Sequence, residues 1–222
     1  MYKGLKSEKT EDRRPRTDSV ARWSAIEREL RSNGATLIAG VDEVGRGPLA
    51  GPVVACAVVM PPSKRAIAGV DDSKALAAPE RERLALLIRR EALALALGAA
   101  SVREIAALNI YHATVLAMRR ALRQLTLTPD AILIDGKPIR TLGVDHRAVV
   151  RGDSRCYSVA CASIVAKVTR DRLMSSLAAR YPAYGWMRNS GYGTPAHVAA
   201  IRFSGLTAHH RVQWCRDALA GL

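Results

Sequence analysis

The apolar run Leu37-Ile38-Ala39-Gly40-Val41 ends on two adjacent acids, Asp42 and Glu43, and Gly45-Arg46-Gly47 follows almost at once. A buried strand that closes on two carboxylates has an electrostatic problem. Like charges repel, and each loses hydration unless it is paired or bound to a cation. The next segment, Pro52 to Met60, is again strand-like, so the acids and glycines are expected at the bend of a hairpin. An arginine between two glycines at such a bend lets backbone N–H groups and a guanidinium approach an anion closely. Metal-binding carboxylates beside an anion-gripping turn point to phosphoryl-transfer chemistry.

Two further acids share this placement. Asp135 closes the apolar segment 131–135, and Asp153 follows a strand expected over 148–151. Functional groups collect at the C-terminal ends of strands in open α/β sheets. If neighbouring strands bring Asp42, Glu43, Asp135 and Asp153 together, divalent cations make the cluster tolerable. Oxygen ligands without nearby His or Cys favour Mg²⁺ or Mn²⁺ over zinc. Each acid also has a plain structural reading. Asp135-Gly136 is a common turn, Asp153 could cap the helix that follows, and Asp42-Glu43 could be solvated. Asp171, mid-helix between arginines, reads as a structural partner of those arginines.

Net charge is +14 over 222 residues, with a pI near 10.3. After Gly136 the acids are Asp145, Asp153, Asp171 and Asp217, against many Arg and Lys, so this half is strongly basic. Such a surface attracts polyanions and favours nucleic acid over a neutral metabolite. Cys56, Cys156, Cys161 and Cys215 complete no zinc spacing and read as reduced, mostly buried thiols. No apolar stretch has the length of a membrane span, and the N-terminal residues are polar, so a soluble, cytoplasmic protein without a membrane partner is expected.

The periodicity predicts an α/β fold, a mixed sheet flanked by helices. A helix is expected over 21–32, with Trp23, Ile26 and Leu30 on one face, and then the hairpin of 37–60. Further helices are expected over 79–97, with Leu84, Leu87, Ile88 and Leu95 inward, over 109–125 and over 154–181. A short strand is expected over 99–102, and a last helix opens at Thr194-Pro195. The division is a polar, partly helical extension over 1–35, a catalytic domain over 36–182, and a helical segment over 183–222 that completes a substrate groove.

The ordered set of motifs resembles bacterial ribonuclease HII. It comprises Val41 to Val54, Asp72-Ser73-Lys74, Asn109-Ile110 with Ala117-Met118, Ile134-Asp135-Gly136, and Gly152-Asp153 followed by Ala162 to Asp171. The resemblance implies an RNase H-like fold with a small helical C-terminal part. It also implies hydrolysis of the RNA strand of RNA–DNA hybrids and incision 5′ to a ribonucleotide embedded in duplex DNA. By the same resemblance Asp42, Glu43, Asp135 and Asp153 become catalytic metal ligands for two divalent ions, Mg²⁺ or Mn²⁺. Gly45, Arg46 and Gly47 become the turn that senses the ribose 2′-hydroxyl, and Tyr192 the aromatic that stacks on the adjoining sugar. Lys74 and Lys167 become candidate phosphate contacts, and a monomer is expected. His209-His210-Arg211 resembles the family's basic tail, although Val212-Gln213-Trp214 departs from the usual Ser-Phe.

Two rival classes remain at this stage. A resolvase- or transposase-like nuclease would use similar carboxylates on branched or specific DNA, but Gly45-Arg46-Gly47 gives it no role. A basic RNA-binding module explains the charge but not acids at several strand ends.

Overall fold

The computed structural model describes residues 25–220, so the first part of the helix expected over 21–32 lies outside the described residues. Within them, α1 spans Ala25–Ser32, and the hairpin is present as β1 (Ile38–Val44) paired antiparallel with β2 (Val53–Val59). The sheet has five strands in the order β3-β2-β1-β4-β5, where β3 is Ala94–Ala100, β4 is Ala131–Asp135 and β5 is Arg147–Val149. β3, β2 and β1 run antiparallel, and β4 and β5 join β1 in parallel. The mixed α/β sheet is therefore as expected.

Three boundaries differ from the sequence reading. The helix expected over 79–97 is α2, Ala78–Glu91, and Leu95 lies in β3. Ala and Leu favour helix, but alternate residues of β3 are buried and pair in register with β2, so tertiary pairing overrides propensity. Gly98 permits this: a Cβ there would lie 2.1 Å from the Ala117 carbonyl oxygen of the covering helix. That helix, α3 (Val102–Arg123), starts earlier than expected, at a reciprocal cap between Ser101 and Glu104. Asn109 interrupts it at φ 66°, and its side chain accepts from the His112 amide at 3.1 Å. The helix expected over 109–125 is thus its second half.

The long helix α4 is Tyr157–Arg180, and Asp153 sits before it in a 3-10 turn, Gly152–Ser154. Asp153 does not cap α4. Glu27 of α1 does so instead, accepting from the amides of Ser158 at 2.8 Å and Tyr157 at 3.3 Å.

α4 and α2 cover one face of the sheet, where Val58, Leu84, Ile88, Ile164 and Val165 are buried. α3 covers the other with Ile105, Val115 and Met118 against Val41 and Ile134. α4 crosses so close to β1 that a Cβ on Gly40 would lie 2.1 Å from the Ser158 carbonyl carbon. The chain ends in α5 (Trp186–Asn189), α6 (Pro195–Ser204) and α7 (Val212–Ala220), which bury Trp186, Val198, Ile201 and Cys215 against Leu49 and Met174. All four cysteines are free and buried. No described helix is long and apolar enough to cross a membrane.

Candidate active site

The parallel register of β1 and β4 sets Val41 beside Ile134, so the next residues along each strand, Asp42 and Asp135, emerge side by side. Asp42 is 5% exposed. Its Oδ1 accepts from the Glu43 amide at 2.8 Å, and the nearby Ser163 hydroxyl of α4 favours its charged form. Ser163 is in turn 3.0 Å from the Ser73 hydroxyl. Ser73 of the Asp72-Ser73-Lys74 motif is thus tied to the serine beside Asp42, a placement that residue types alone did not reveal.

Asp135 Oδ1 accepts from the Gly152 amide at 2.7 Å, which fixes the turn carrying Asp153. Lys74, otherwise exposed, stands 3.9 Å from Asp153. Arg46 stands 3.4 Å from Glu43 and is exposed.

The electrostatics are those of crowded acids. Burial, then Glu43 and Asp135, push the Asp42 carboxyl well above the usual carboxylate range. Burial also raises Glu43, with Asp135 adding to it and Arg46 opposing. Asp153 is raised by burial and then by Asp135 and Asp72. Burial works against the Lys74 ammonium, but Asp153, Asp72, Asp42 and Asp135 together hold its pKa above the ordinary value. Among the described residues no three His, Cys, Asp or Glu side chains close into a cage for a metal ion. The acids nonetheless repel one another: Asp42 feels Glu43 and Asp135, Glu43 feels Asp135, and Asp153 feels Asp135. Buried carboxylates in mutual repulsion, without His or Cys, fit a hard divalent cation.

The turn after β1 adjoins these acids. Gly45 has φ 93°, and a Cβ on Gly47 would lie 3.6 Å from Tyr192 Cε1, in ordinary contact. The structure thus brings Gly45-Arg46-Gly47 and Tyr192 together on one side of the acids. Tyr192 is 46% exposed, and its carbonyl accepts from His197 Nδ1 at 2.8 Å. His197 Nε2 accepts from Trp186 Nε1 at 3.0 Å and from His210 Nε2 at 3.1 Å. The Thr207 amide donates to His210 Nδ1 at 2.9 Å, so both imidazoles are neutral and of defined tautomer. Asp171 pairs not with the flanking arginines, as expected, but with Lys167 at 2.6 Å, and Ser190 also donates to it.

Residues 39–217 match the family model described as Ribonuclease HII. The chain belongs to the ribonuclease HII family. It is similar to ribonuclease HII of Granulibacter bethesdensis, 54% identical over 186 residues that span 82% of this chain and 85% of that relative. Its fold is similar to the crystal structure of ribonuclease H2 from Pyrococcus horikoshii OT3, with TM-score 0.71 and 26% identity, over 82% of this chain and 96% of the other. Bst-RNase HIII in complex with Mn²⁺ shares the fold at TM-score 0.68 and 21% identity, over 96% of this chain and 76% of the other. The protein is therefore an enzyme, a type 2 ribonuclease H that cleaves nucleic acid, in a family that depends on divalent metal.

Proposed function

We propose that this ribonuclease HII hydrolyses the RNA strand of RNA–DNA hybrids and incises duplex DNA 5′ to an embedded ribonucleotide. The observation that carries this reading is the placement of Tyr192 near the turn that follows the acids of β1, where a Cβ on Gly47 would lie 3.6 Å from the ring. Only the 2′-hydroxyl separates RNA from DNA at a given nucleotide. A glycine-flanked turn lets backbone amides reach the sugar edge, and Arg46 faces the adjoining phosphate. The Tyr192 ring stacks on the next sugar and leaves no room for a second 2′-hydroxyl, which selects an RNA-to-DNA junction.

Asp42, Glu43, Asp135 and Asp153 are the residues that would hold two divalent cations. Those ions, when bound, supply activation of the attacking water and charge stabilisation of the departing 3′ oxygen. The hard oxygen set suits Mg²⁺ or Mn²⁺, and Bst-RNase HIII is known in complex with Mn²⁺. The chain's own part is to orient. The Glu43 amide holds Asp42, with Ser163 and Ser73 behind it, Gly152 holds Asp135, and Lys74 offers a cation to the phosphate beside Asp153. Products carry a 3′-hydroxyl and a 5′-phosphate. Residues 36–182 carry the chemistry, 183–222 complete the substrate groove, and the enzyme acts as a cytoplasmic monomer.

The test is an end-labelled duplex with one ribonucleotide, incubated with Mg²⁺, Mn²⁺ or EDTA. A single metal-dependent cut 5′ to the ribonucleotide is the expected result. Cleavage of a long hybrid without that cut would remove the junction role of Tyr192. Tight binding without any cleavage would favour a binding module.

A further inference from the structure

Two arginines that the chemistry above leaves unused lie beneath the Gly45-Arg46-Gly47 turn. Arg170 of α4 is 0% exposed and Arg211, just before α7, is 3% exposed. Every hydrogen bond they donate ends on a backbone carbonyl. Arg211 reaches Arg46 O at 2.7 Å and Gly51 O at 2.8 and 3.1 Å, and also bonds Gly45 O. Arg170 reaches Pro52 O at 3.0 Å, Ala50 O at 3.0 Å and Ser190 O at 2.9 Å. Neither guanidinium forms an ion pair with a carboxylate among the described residues. Asp171, next to Arg170, is held by Lys167 and Ser190.

Buried cations without a counter-charge are costly, and apolar side chains would fill the same space at less expense in stability. The geometry gives them a use. In a trans peptide the C=O of one residue and the N–H of the next point in opposite directions. Arg211 draws the carbonyls of Gly45 and Arg46 inward, so the amides of Arg46 and Gly47 face outward. Among the described residues no backbone or side-chain acceptor meets either amide. Arg170 explains Gly45 itself, because a Cβ there would lie 2.2 Å from Arg170 Nε. Burial lowers the pKa of both guanidiniums, and Arg170 lowers that of Arg211 further, to about 10, which leaves Arg211 charged at neutral pH.

We propose that Arg170 and Arg211 are positioning residues for ribonucleotide recognition. They hold the turn with its amides outward and lend unpaired positive charge to the substrate phosphate that those amides receive. This inference rests on the reading of Gly45-Arg46-Gly47 given above.

The experiment measures KM and kcat on the single-ribonucleotide duplex, and Ki for the all-DNA duplex of the same sequence as competitor. The proteins are wild type, Arg46→Ala, Arg211→Lys and Arg170→Lys. Lysine keeps the charge but not the planar fork that bridges several carbonyls. The expected result is a Ki/KM ratio reduced about tenfold in both lysine variants, with kcat within about threefold of wild type, because the acids are untouched. Circular dichroism identifies a variant that has not folded, and the other lysine variant then decides. An unchanged ratio, or KM and Ki rising together, while Arg46→Ala lowers the ratio, overturns this inference alone. A wild type with no 5′ incision, or with Ki equal to KM, overturns the reading of the turn and this inference with it.

Discussion

Asp135 accepts a hydrogen bond from the backbone amide of Gly152 at 2.7 Å, so the end of β4 and the turn bearing Asp153 are held as one piece. In Asp135→Asn the side-chain oxygen still accepts that bond, and only the ligand charge is lost. Cleavage is expected to fall on the order of a thousandfold, equivalent to about 4 kcal/mol of transition-state stabilisation. Binding of the uncut duplex should change little, since the basic surface is intact. Parallel turnover and fluorescence-anisotropy titrations check this, and normal turnover would remove Asp135 from the metal site.

Asp42 is buried against Glu43 and Asp135, which makes it an unfavourable group in the metal-free protein. Asp42→Asn keeps the acceptor for the Glu43 amide and removes the repulsion. In EDTA this variant should unfold about 2–4 °C above wild type, a gain of about 1 kcal/mol for a chain this size. It should also be inactive with Mg²⁺ or Mn²⁺. Differential scanning calorimetry in EDTA decides; a lower midpoint would show that the acid is stabilising.

His210 has its pKa pushed down to about 4 from an ordinary 6.5, by burial first and then by His197 and His209. As pH falls the unfolded chain therefore takes up the proton before the folded one. The stability contribution is complete above about pH 6.5 and is lost progressively down to about pH 4. The loss is on the order of 3 kcal/mol, at about 1.4 kcal/mol per pKa unit. The raised acids bend the profile the opposite way, so the quantity to compare is wild type against His210→Gln by urea unfolding between pH 4 and 8. Parallel curves would refute the effect.

α2 opens at Ala77 without a side-chain cap. Ala77→Ser supplies an acceptor for an amide of the first turn and should add about 1 kcal/mol. The readout is the thermal midpoint, with cleavage rate unchanged. A shift in rate would mean that this end of α2 reaches the substrate.

Much of the fold was legible because its signals are local. The apolar runs ending on Asp42 and Asp135 marked two central strands, and Thr194-Pro195 marked the start of α6. Errors fell where long-range pairing outweighed propensity, as in the Ala- and Leu-rich β3, read partly as helix. The start of α3 does carry a local signal, the reciprocal cap of Ser101 and Glu104. At the site, Asp135 ends β4 as expected, but Asp42 and Glu43 lie inside β1, paired with β2, and Asp153 lies past β5 in a 3-10 turn. Ser163, Arg170 and Arg211 were not assigned because their partners are far away in sequence. A serine inside a helix or an arginine in a basic tail carries no local mark that it reaches Asp42 or the carbonyls of Gly45 and Arg46.

The stitches between the turn and the tail have a consequence for how the protein is made. The Leu49 amide bonds Gly191 O, the Gly51 amide bonds His209 O, and the Arg211 amide bonds Leu49 O. All three partners follow Asp153 in the chain. A nascent polypeptide that has left the ribosome only as far as α4 carries the four site acids but holds its turn through Arg170 alone. The order of synthesis thus puts the capacity to hold metal ahead of the capacity to choose a sugar, and selective cutting waits for the last helices to dock.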